Sequence, residues 1–84
     1  MKREALSQKY IEVLRGSHRY RQLIALDLGK TERTVSQWLA NPDHSYYADI
    51  LISESFQNSL RKHLMLAPKT KLTVVVEFEP HPIA

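Results

Sequence analysis

Apolar residues recur at helical spacing over most of this chain and in strand-like alternation only near its far end. Leu6, Tyr10, Val13 and Leu14 fall at i, i+4, i+7 and i+8, flanked by Ala5 and Ile11, which predicts a helix over 3–15 with one apolar stripe. Gly16 is placed to end it in a left-handed conformation, and Ser17 to cap the next helix through its hydroxyl. That second helix, about 18–27, turns Tyr20, Leu23, Ile24 and Leu28 inward. Gly29 closes it, supplying positive φ at no steric cost. Thr31 caps a third helix over 32–40, with Glu32 in the first turn where negative charge suits the dipole, and Asn41-Pro42 stops it.

From Asp43 to about Leu66, Leu51 or Ile52, then Phe56, Leu60 and Leu64, keep helical spacing. Asp43 or Ser45 can cap this stretch, and the pattern fits one long helix or two short ones. Ala67-Pro68-Lys69 breaks it. Leu72–Glu79 is β-branched and aromatic, with Leu72, Val74, Val76 and Phe78 on one face, and predicts a strand ended by Pro80 and Pro82. The expected fold is mostly α: a helix-turn-helix bundle of about four helices over 1–66, then one C-terminal strand and tail over 67–84.

A lone strand leaves backbone donors and acceptors unpaired, so something must pair with it. The same strand in a second copy would form an antiparallel ribbon in a symmetric dimer. The other readings are a short hidden strand elsewhere, near Met1, or a disordered tail.

Ala25, Gly29, Val35 and Trp38 stand at spacings of four, six and three, which suits two helices meeting across a tight turn. Ala25 allows the helices to cross closely. Val35 and Trp38 share one face of the third helix and belong to the core. Arg33, Gln37 and Ala40 then point outward, with Ser36 and Thr34 on the flanks. Arginine makes a forked contact to guanine and glutamine to adenine, so Arg33 and Gln37 lead the candidates for base reading, followed by Ser36 and Glu32. Arg19, Arg21, Lys30, Thr31 and Thr34 are placed to touch phosphate, which sets affinity and register.

Charge sharpens this picture. The net charge is only +3, yet Arg15, Arg19, Arg21, Lys30 and Arg33 fall within one stretch against Asp27 and Glu32, with His18 adding when protonated. At 84 residues the chain suits one small domain with a thin core that a partner subunit would help. No cysteine is present, which excludes disulfides and zinc-thiolate sites and accords with a reducing cytosol. No apolar run approaches the ~20 residues needed to span a bilayer, and no apolar stretch follows the basic start, so no secretory signal is expected.

Over Arg21–Ala40 the chain resembles the lambda-repressor-like helix-turn-helix regulators of phages and bacteria. The matching residues are Ala25 and Gly29 in A-L-D-L-G, and Val35, Ser36 and Trp38 in T-V-S-Q-W-L. The resemblance implies a compact helical domain that binds operator DNA as a dimer. Two positions depart from it: Lys30 follows Gly29 where the family usually carries an apolar residue, and a strand stands in place of the usual final helix.

The expectation is a cytoplasmic, nucleoid-associated regulator, a repressor by resemblance, that binds double-stranded DNA as a homodimer through its C-terminal strand. No cofactor, metal, membrane or small-molecule ligand is expected. His18, His44, His63 and His81 lack ligand partners at i+3 or i+4, and Asp43-His44-Ser45 are chain neighbours that cannot assemble as a triad, so no enzyme is expected. The alternative is a helix-turn-helix module used for assembly or for holding a protein partner.

Overall fold

A computed structural model describes residues 2–77. In chain order these form β1 (Lys2–Leu6), α1 (Gln8–Arg15), α2 (His18–Leu28), α3 (Glu32–Ala40), α4 (Ser45–Leu51), α5 (Glu54–His63) and β2 (Thr73–Glu77). The mostly α class is as expected, with five helices rather than about four among the described residues.

The helix predicted over 3–15 is shorter. Residues 2–6 are a strand, antiparallel to β2, with Arg3 opposite Val76, Ala5 opposite Val74 and Leu6 opposite Thr73. The ladder continues as the Ser7 amide donates to the Leu72 carbonyl at 2.9 Å. Lys, Arg, Glu, Ala and Leu are good helix formers. Here that local preference yields to the need of a valine-rich strand for a partner. The C-terminal strand is therefore not alone: its partner is the hidden strand near the N-terminus. Of the expected apolar face, Leu72 is fully buried, whereas Val74 and Val76 are exposed. Phe78 lies outside the described residues.

The helix ends follow local chemistry in most places. Ser17 accepts from the Tyr20 amide and Thr31 from the Thr34 amide, so both predicted caps are in place. Gly29 sits at φ 68°. Its amide donates to the Leu26 carbonyl and that of Lys30 to the Ala25 carbonyl, the paired bonds of a Schellman ending. Gly16, expected to be left-handed, is right-handed at φ −83°, because α1 ends in a tight turn with the Ser17 amide on the Leu14 carbonyl. His44, not Asp43 or Ser45, holds the N-cap position of α4, with no side-chain cap bond. Two helices occupy the stretch after Asp43. The break lies at Ser53, whose hydroxyl donates to the Ile50 carbonyl at 2.7 Å and accepts from the Phe56 amide, ending α4 and starting α5.

One core draws on β1, on all five helices and on Leu72 just before β2. Leu14, Ile24, Val35, Phe56, Leu60 and Leu72 are each inaccessible to solvent. Trp38 meets Phe56 edge-on, ring centroids 6.4 Å apart, joining α3 to α5. Val13, expected on the inner stripe of α1, is exposed. No helix among the described residues is long and apolar enough to cross a membrane.

Candidate nucleic-acid interface

The inner face of α3 fixes its outer face. Val35, Trp38 and Leu39 are buried, and the 100° step per residue leaves Arg33, Gln37 and Ala40 exposed, with Thr34 and Ser36 half-buried on the flanks. Ala25 is 2% exposed at the α2–α3 crossing, as the spacing required. Among the described residues, Arg19, Lys30 and Arg33 are exposed and make no side-chain hydrogen bond or ion pair. Arg33 therefore stands free on the outer face of α3, and Lys30 on the turn before it. Thr31 and Thr34 share a hydrogen bond between their hydroxyls at 2.9 Å.

Gln37 is exposed but not free. Its Nε2 donates to the Tyr47 hydroxyl of α4 at 2.9 Å. Lys30, Thr34 and Gln37 line one side of a groove of about 460 Å³, and Tyr46 and Tyr47 the other, over a floor that includes Trp38.

Three residues in the candidate set work inside the fold. The Arg21 side chain is only 17% exposed. It donates to Glu32 at 2.7 Å and to the carbonyls of Leu14 and Arg15 at 2.8 and 2.7 Å. Those carbonyls belong to the last turn of α1, where helix geometry provides no i+4 amide within the helix to bond them. Arg21 thus fastens the end of α1 to the start of α3, and its guanidinium is not presented outward as a phosphate contact requires. Glu32 also accepts from the Ser36 hydroxyl at 2.8 Å and lies 3.4 Å from His18. Arg21 first, then Ser36, hold its carboxyl below the ordinary glutamate value. Glu32 and Ser36, ranked after Arg33 and Gln37 for base reading, are therefore committed to each other and to Arg21.

Sequence reasoning missed two clamps. Arg15, counted among the surface charges, donates from Nε and Nη2 to the Leu39 carbonyl at 2.9 and 2.5 Å, tying α1 to the far end of α3. Asp27 of α2 accepts from the Ser59 hydroxyl at 2.7 Å and pairs with Lys62 at 3.1 Å and His63 at 2.7 Å, all on α5. Ser59 first, then His63 and Lys62, lower the Asp27 pKa from 3.8 to about 2, against partial desolvation that raises it. A signal existed for neither, because each joins residues more than twenty positions apart. Among the described residues no group of three or more His, Asp or Glu side chains could hold a metal ion. No family model, curated protein or solved structure matches this chain.

Proposed function

We propose that this protein binds double-stranded DNA sequence-specifically, laying α3 in the major groove, as a small prokaryotic or phage transcriptional regulator acting on the nucleoid in the cytoplasm. The observation that carries the reading is the two-sidedness of α3: Val35 and Trp38 are locked in the core while Arg33 and Gln37 stand outside. In this reading Arg33 takes a guanine edge and Gln37 an adenine edge. Arg19, Lys30, Thr31 and Thr34 take phosphate, and Arg21 with Glu32 holds the helices in register.

The protein acts as a homodimer in which β2 contributes the contact. Support comes from three consecutive exposed valines, Val74, Val75 and Val76, on a two-stranded sheet. Two-fold symmetry then calls for an inverted repeat with half-sites about 34 Å apart, or a multiple of that.

The test is binding to mixed genomic DNA across salt concentrations, followed by selection of bound sites from random DNA. A phosphate-contacting reader weakens steeply with salt. Arg33→Ala is expected to cost about 1–3 kcal/mol on the selected site and to relax preference at one base pair. A protein indifferent to DNA at low salt would refute this reading in favour of an assembly module. Unchanged preference in Arg33→Ala would refute the reading face.

A further inference from the structure

The hydrogen bond between Gln37 and Tyr47 reaches from the outer face of α3 to a different helix, and its donor is the residue that the proposed function assigns to adenine. A glutamine side chain has three rotatable bonds and loses considerable freedom when it is ordered at an interface. Here that ordering is in place before any ligand arrives. Tyr47 is a firm anchor: its ring packs against the core cluster and lies 4.7 Å from the His44 ring and 5.9 Å from that of Tyr46. The hydroxyl is thereby held over the groove that Gln37 lines.

The chemistry allows both partners at once. A primary amide has one carbonyl oxygen and two N–H groups. The adenine edge uses the oxygen and one N–H, which leaves the second N–H for Tyr47. We propose that Tyr47 is a positioning residue for specificity: it touches no base, and it sets the amide plane of Gln37 for adenine. This rests on the DNA-binding reading above.

Tyr47→Phe keeps the ring and removes only the hydroxyl. Two measurements test it, with thermal unfolding as the check that the fold is kept. In the free protein, the side-chain amide resonances of Gln37 should shift and sharpen in Tyr47→Phe; unchanged resonances would overturn the proposal without reference to DNA. On a selected site and its single-base variants, Tyr47→Phe should lower discrimination about two- to tenfold. The loss should fall at the one base pair per half-site where Gln37→Ala also loses it. Other positions and the salt slope should stay as in the wild type, and Tyr47→Phe should add nothing in a Gln37→Ala background. Wild-type preference at that base pair, or an equal loss of affinity on every variant, would overturn the positioning role. A wild-type protein with no base preference anywhere would instead remove the DNA reading itself, and the proposal with it.

Discussion

Replacing Asp27 by Asn probes the clamp between α2 and α5 through its dependence on pH. Asparagine retains an acceptor for the Ser59 hydroxyl but loses the charge that faces Lys62 and His63. The drop in pKa from 3.8 to about 2 corresponds to ~2.4 kcal/mol at full strength. The Asp27 side chain is a quarter exposed and that of Lys62 is 65% exposed, so solvent screening reduces the expected contribution to about 1 kcal/mol. The sign follows from the direction of the shift. A carboxylate whose folded pKa is depressed adds stability that is fully present above its unfolded value and is lost as pH falls through the folded one. The advantage of wild type over Asp27→Asn should therefore be fully present at pH 5 and decline from just above 3.8 to about 2. Urea unfolding followed by the fluorescence of the single, buried tryptophan, Trp38, measures it directly. At neutral pH the variant's midpoint should fall by roughly 0.3–1 M, and the two midpoints should converge near pH 2. A gap that stays constant between pH 5 and pH 2 would show that the carboxylate's charge does not hold the helices together.

Arg21→Met should lower stability by about 2 kcal/mol, since it strips the hydrogen bonds from a charged donor to two helix-end carbonyls and Glu32; a variant of wild-type thermal stability with weakened DNA affinity would restore Arg21 to the phosphate-contacting set. Met65 adopts φ 57° at the end of α5 with its side chain almost wholly in solvent, so Met65→Gly should raise the thermal midpoint by relieving about 1 kcal/mol of left-handed strain. Gly29→Ala should lower it by a similar amount, and by no more, because an added Cβ there meets nothing within 4 Å; a loss of several kcal/mol would point to packing instead of backbone strain. Val74→Lys with Val76→Lys should yield monomers by sedimentation if β2 joins two copies, and a dimer that persists would refute that contact.

The α2–turn–α3 unit was legible because each of its determinants is local. Ser17 and Thr31 cap within three residues, Gly29 ends α2 by its own conformational freedom, and Ala25, Val35 and Trp38 fall inward from helical spacing alone. Residues 2–6 were not legible, because their strand state is imposed by β2, seventy residues away. The working partners of Arg15, Arg21 and Asp27 stand on other helices, so their charges look alike in sequence whether they face solvent or grip a helix end. The division at Ser53 left a local mark, a capping serine with Glu54 in the first turn, but the apolar spacing continues across it and left one helix or two undecided. Of the candidate site, Arg33 and Gln37 stand where spacing put them, while the Gln37–Tyr47 bond depends on how the turn after α3 folds back, which no periodicity encodes.

The pairing of the first strand with the last has a consequence for biosynthesis. While the ribosome has released only the five helices, Lys2–Leu6 has no strand to join and carries a composition content to prolong α1. Leu6 and the core beneath it wait for Leu72. The first strand can take its final form only once Thr73–Glu77 is free to pair with it. The order of Lys2–Leu6 is thus supplied by the described stretch that is made last.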